Sequence, residues 1–191
     1  MKINEKLYTD LIQIPLSLGA HKANIIPRDQ IALDRAFRDM CAANSCGVYG
    51  KCWMCPPDVG DIDELMASLT RYDWVLVYQT VTNLEDSFDF EGMTEAKNKI
   101  RRLSQQIRRE IDPLALPEVL HLSAGGCGLC PVCAKKTDEP CRFPDLAMSS
   151  LEAYGIYVSK MAEAAGMNYI NGANTVTYFG AVFFRAPADE T

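Results

Sequence analysis

Apolar positions along this chain recur at two periods, and each change of period marks an element. Leu7, Leu11, Ile12, Ile14, Leu16 and Leu18 predict a helix over 7–18 that Gly19 ends, with Pro15 as an interior obstacle. A short strand over 23–26 stops at Pro27. Residues 30–40 put Leu33, Ala36, Phe37 and Met40 on one helical face, while alternation around Ile31 and Leu33 leaves a strand start as the alternative. Asp61 is an N-cap with Glu64 as its capping-box partner, and Ile62, Leu65, Met66 and Leu69 form the apolar stripe that follows. The uncharged, β-branched and aromatic run 74–81 predicts a buried strand. Residues 94–111 carry the clearest helix, with Ala96, Ile100, Leu103, Ile107 and Ile111 facing inward and Asp112-Pro113 as the stop.

Residues 117–122 supply the next strand. Strand, long helix and strand make a crossover unit, which predicts two parallel strands with a right-handed connection. The second strand runs into Gly125, Gly126 and Cys127, placing a cysteine-rich loop at a strand's C-terminal end, where open α/β sheets carry their sites. Ser149 with Glu152 is a second capping box, Gly155 interrupts the helical stretch, and a helix over 157–165 ends at Gly166. Segments 167–170 and 175–184 around Asn171-Gly172 predict an antiparallel hairpin. The expected fold is α/β, with α+β as the alternative: one domain over 1–191, with a mixed sheet of about four or five strands and packed helices.

Composition narrows the function. The chain has 191 residues, 48% hydrophobic and 23% charged, as expected of a globular protein with one core. A formal net charge of −6 argues against nucleic-acid binding through phosphate contacts. No apolar run has the length of a membrane span, and the polar start Met1-Lys2-Ile3-Asn4 leads into no signal-peptide core, which points to the cytoplasm. Eight cysteines in a reducing compartment then favour metal ligation over disulfides.

Their spacing carries the chemistry. Cys127, Cys130 and Cys133 fall at two-residue intervals, and Cys141 follows in Pro140-Cys141-Arg142. This run resembles the ligand runs of bacterial ferredoxins, where compact loops place thiolates on different corners of one cluster. A mononuclear zinc site more often joins two well-separated Cys-x2-Cys knuckles. The last gap here, seven residues where the ferredoxin run has three, departs from that pattern. Cys41, Cys46, Cys52 and Cys55 form a second group in a loop bounded by Pro56-Pro57, with a less diagnostic spacing. Against both stands the reading that the thiols simply pack in the core.

The motif Cys41-x4-Cys46-Gly47-x-Tyr49-Gly50-Lys51-x-Trp53-x-Cys55-Pro56-Pro57, the later cysteine run with Pro140-Cys141-Arg142-x-Pro144, and Ser150-Leu151-Glu152-Ala153-x-Gly155-Ile156 resemble the uncharacterised, predicted metal-binding family (domain of unknown function 2284). The resemblance implies a metal, most simply iron–sulfur, and no particular reaction. It also implies fixed positions at Cys41, Cys46 and Cys55 and an open one at Cys52. If Cys52 is no ligand, the first centre has three thiolates and an iron corner free for a substrate.

The remaining candidates have structural alternatives of equal or greater weight. His121, just before the cysteine loop, is a proton carrier or an ordinary sheet histidine; His21 has no partner motif. Lys97, Lys99, Arg101, Arg102, Arg108 and Arg109 are a docking face for an acidic electron carrier or a solvated helix surface. Tyr49 and Trp53 shield a cluster or pack, and Lys51 and Arg142 donate to the anionic sites or stay in solvent. No hydrolase motif or phosphate loop is present. The leading expectation is two iron–sulfur clusters, 4Fe-4S in type, in electron transfer with a redox partner; zinc as a structural staple is the alternative, and catalysis at an open iron corner is a third reading.

Overall fold

The computed structural model describes residues 3–187. Its elements are α1 (Glu5–Ser17), β1 (Lys22–Pro27), α2 (Phe37–Ala42), α3 (Ile62–Ser68), β2 (Trp74–Asn83), α4 (Phe90–Ile111), β3 (Val119–Leu122), α5 (Val158–Ala164) and β4 (Thr175–Phe184). The strands form one sheet in the order β1-β2-β4-β3, with every paired neighbour antiparallel. Among the described residues the fold is thus α/β, a four-stranded sheet with five α-helices.

Side-chain alternation along the strands builds two cores. Val75, Val77, Phe179, Ala181 and Phe183 point to one face and pack with Leu151, Ile156, Met161 and Ala162. Leu76, Tyr78, Val182 and Phe184 point to the other, against Leu11 of α1 and Ile100, Leu103, Ile107 and Ile111 of α4. Because both faces are covered, β2 and β4 read as nearly continuous apolar runs.

Several expectations change in the structure. β2 and β3 do run in the same direction, as the crossover requires, but β4 lies between them. β4 matches β2 residue for residue from Trp74↔Phe184 to Asn83↔Thr175, a longer pairing than four-residue β3 offers. The hairpin over 167–184 does not form, because β4 takes β2 and β3 as its neighbours. Residues 167–170 are irregular: Met167 is buried beneath the end of α5, and Tyr169 stacks on Phe179 with ring centroids 5.9 Å apart. The predicted helix over 30–40 begins only at Phe37; before it, Ile31 enters the core and Leu33 makes an antiparallel bridge with Ile156. Pro15 is accommodated inside α1, two residues from its end. Asp61 caps α3 as expected, accepting from the Asp63 and Glu64 amides. At the later capping motif it is Ser150, not Ser149, whose Oγ accepts from the Ala153 amide at 3.1 Å, and one short turn, Glu152–Tyr154, results.

A polar chain crosses the core beside the cysteine loop. Tyr78 lies 2.6 Å from Ser104 Oγ and 2.7 Å from His121 Nε2, Ser104 lies 2.8 Å from Ser123 Oγ, and Ser104 donates to the Ile100 carbonyl at 2.9 Å. One assignment satisfies every donor: His121 gives its Nε2 proton to Tyr78, Tyr78 donates to Ser104, and Ser123 donates to Ser104. His121 is therefore held neutral; burial, aided by the Arg108 charge, pushes its pKa down to about 3.

The unfolded histidine titrates near pH 6.5, so between about pH 3 and 6.5 the unfolded chain binds the extra proton and stability rises with pH. The slope contributed is at most about 1.4 kcal/mol per pH unit. Urea unfolding across that window is expected to show it in the wild type and a shallower dependence in His121→Gln; parallel profiles contradict a buried neutral His121.

Candidate metal centre

Both cysteine loops are held at their ends by the fold. After β3, the Ser123 amide donates to the Ser149 carbonyl at 3.0 Å and the Leu151 amide donates back to the Ser123 carbonyl at 3.1 Å. Residues 124–148 thus leave the sheet and return to the same point, with Cys127, Cys130, Cys133 and Cys141 on the excursion. The first loop runs from Cys41 in α2 to Pro56-Pro57 before α3. Its entrance is tied to the same region: the Asp34 amide donates to the Gly155 carbonyl at 2.7 Å and Arg38 to the Ala153 carbonyl at 3.2 Å.

The two loops then lock together. Trp53 Nε1 donates to the Glu139 carbonyl at 2.9 Å. Lys135 from the second loop lies 4.3 Å from the Trp53 ring centroid and 2.9 Å from Asp58, with both residues half-buried. Ser149 Oγ reaches Met54 Sδ at 3.8 Å. Gly126 has no side chain because Val48 and the Cys55 sulfur fill that place: a Cβ there would lie 3.2 Å from Val48 Cγ1 and 3.4 Å from Cys55 Sγ.

The long helix grips the second loop from the other side with Lys97, Arg101 and Gln105, spaced four residues apart. Lys97 lies against Gly125 and Gln105 donates to the Leu146 carbonyl at 2.9 Å. Arg101 lies across Gly128 and donates to the Gly126 carbonyl at 2.7 Å. This stripe flanks the buried one, which is the sequence signal that separates Lys97 and Arg101 from the exposed Lys99, Arg102 and Arg109. Arg142 closes the far arm by donating to the Val132 carbonyl at 3.0 Å, and exposed Lys51 donates to the Gly47 carbonyl at 3.2 Å.

All eight cysteines are free thiols, Cys46 exposed, Cys52 buried and the other six half-buried. Cys127, Cys130, Cys133 and Cys141 line one pocket, and Cys52 of the first loop lines it with them. Cys46 lies near enough to help raise both Cys41 and Cys55, and Cys41 near enough to help raise Cys55. Cys52 stands between the groups. The Cys55 side chain holds its pKa down to about 5, with help from the Met54 and Cys127 amides and the Cys133 side chain, against the effect of burial. Cys55 is pushed up by the same contact and by burial. Burial raises Cys41, as does the nearby Glu152 carboxylate, itself raised by burial. Cys127 is raised by burial while the Leu129 and Met148 amides oppose the shift.

Thiols in half-buried positions, with backbone amides donating to sulfur, are a donor set suited to thiolate-bound zinc or iron–sulfur centres. Among the described residues, no three His, Cys, Asp or Glu side chains converge on a position for one ion. His121 faces Tyr78 rather than the thiols, and Glu152, Lys135 and Asp58 are site residues with no spacing signal in the sequence.

Gly128 has φ +67°, and a Cβ there would sit 2.6 Å from Arg101 Cζ. Gly128→Ala is therefore expected to displace the guanidinium from Gly126, to cost about 1–2 kcal/mol in stability, and to lower metal content per chain. Elemental analysis and urea unfolding check both; a variant with unchanged metal and stability contradicts the clamp.

No curated protein and no solved structure matches the chain. The family model described as "predicted metal-binding protein (DUF2284)" matches it over residues 24–184, a span containing both cysteine loops and all four strands except the first two residues of β1. The chain with these two interlocked thiol groups belongs to that predicted metal-binding family.

Proposed function

We propose that this is a cytoplasmic iron–sulfur protein, one metal-binding domain carrying two clusters of 4Fe-4S type that pass electrons to or within a redox partner. The observation that carries the reading is the placement of Cys52, whose side chain meets Cys55 of one thiol group and Cys133 of the other. Two centres built on these groups adjoin, so charge can pass between them inside the chain. Cys127, Cys130, Cys133 and Cys141 supply a full thiolate set for one centre. Cys41, Cys46 and Cys55 supply three ligands for the other, with Cys52 beside them as a fourth. Bound clusters would supply one-electron redox chemistry; the polypeptide supplies amides and cations that stabilise their negative charge.

Two other readings have an observation behind them. Cys52 lines the pocket of the later quartet, which leaves three thiols on the first side and favours an open iron corner there. A zinc protein, with the same thiols stapling two loops, fits the structural contacts between the loops equally well.

Redox titration of anaerobically purified protein, followed by electron paramagnetic resonance, separates these readings. Reversible reduction at two magnetically interacting centres is expected; a colourless, redox-silent protein supports zinc. Cys52→Ser should retain iron at both centres if the first has an open corner. Loss of one centre would make Cys52 its fourth ligand.

A further inference from the structure

Beside the thiol pocket a second crevice of about 210 Å³ opens between the two cysteine loops. It shares Cys52, Cys127, Cys130 and Cys133 with that pocket and adds three cations, Lys51, Arg101 and Lys136. Among the described residues no carboxylate lines it, although Asp and Glu outnumber Lys and Arg by 25 to 19 in the chain. The three cations come from separate segments: the first loop, α4 and the short turn after Cys133.

Arg101 is the informative member. One of its terminal nitrogens is committed to the Gly126 carbonyl at 2.7 Å and the other makes a long contact of 3.4 Å to Asn98. Its Nε is buried and has no hydrogen-bond partner among the described residues. That nitrogen lies against Gly128, so the side chain offers the crevice its charge and its terminal nitrogens rather than Nε. Lys51 and Lys136 keep exposed side chains at the same crevice.

Size decides the ligand class. The space exceeds the roughly 30 Å³ share of a single water and falls below the roughly 300 Å³ at which pockets begin to take drug-sized ligands. A guanidinium fork with two ammonium groups recognises oxyanions. We propose that this crevice binds a small oxyanion, a phosphate or carboxylate group, next to the later cysteine quartet. The inference goes beyond electron transfer; because Cys52, Cys127, Cys130 and Cys133 line the crevice as well as the proposed centre, the oxyanion would sit beside bound metal, and the test uses metal-loaded protein. If the cations serve only to offset thiolate charge, a free anion gains nothing by entering.

The test is isothermal titration of the metal-loaded protein, in chloride buffer, with inorganic phosphate and separately with succinate. Saturable binding is expected, weakened about tenfold or more in Lys51→Gln/Lys136→Gln, with metal content per chain unchanged. Arg101→Lys, which keeps the charge and loses the fork, should weaken binding as well. Tighter phosphate binding identifies a phosphoryl ligand and tighter succinate binding a carboxylate. No saturable heat with either probe overturns the proposal, including the case where the lysine variants weaken only association with an acidic redox protein. Equal affinity in wild type and double variant overturns it too, because binding then lies elsewhere. None of these outcomes depends on whether the centres are iron–sulfur or zinc.

Discussion

The Ser123 amide and carbonyl both bond to the strand-like segment Ser149–Leu151, and those two backbone bonds decide where the later cysteine quartet can be. A loop as long as 124–148 has a large conformational freedom to lose, and closing its base on a sheet edge removes much of it. The base is anchored below by the buried Ser123–Ser104–Tyr78–His121 chain and above by the Ala153 and Gly155 carbonyls that receive the first loop. Both thiol groups therefore hang from one fixed point, which is why residues so distant in sequence meet.

Given that anchor, the contacts between the loops are inexpensive to make. Trp53, Met54, Asp58 and Lys135 form a latch of contacts across the interface. Cys52 sits inside the latch. Burial alone would raise its thiol; the Cys55 side chain first, then the Met54 and Cys127 amides and the Cys133 side chain, shift it downward instead. Cys55, three residues on and turned toward Gly126, takes the opposite shift.

The sequence was most legible where the physical cause is local. Helical periodicity located α4 and the Asp61 cap, an uncharged run located β2, and the close spacing of Cys127, Cys130, Cys133 and Cys141 is matched by their lining one pocket. It was least legible where partners are remote. Asn171-Gly172 signals a turn, yet it cannot report that β4 has a ten-residue partner in β2. Spacing groups Cys52 with Cys55, which its side chain does meet, but cannot report that Cys52 also lines the pocket of the later quartet. The cationic residues of α4 carry a common charge in the sequence, and only the position of the loop separates Arg101, which grips Gly126, from Arg102, which faces solvent.

The central claim is that these thiols hold iron–sulfur centres, and composition tests it most directly: iron, zinc and acid-labile sulfide per chain, with the visible spectrum, on protein purified without oxygen. The account predicts about eight irons and eight sulfides per chain and a broad charge-transfer absorption from sulfur to iron. About two zincs, no sulfide and a colourless solution would contradict it and leave two loops stapled by metal.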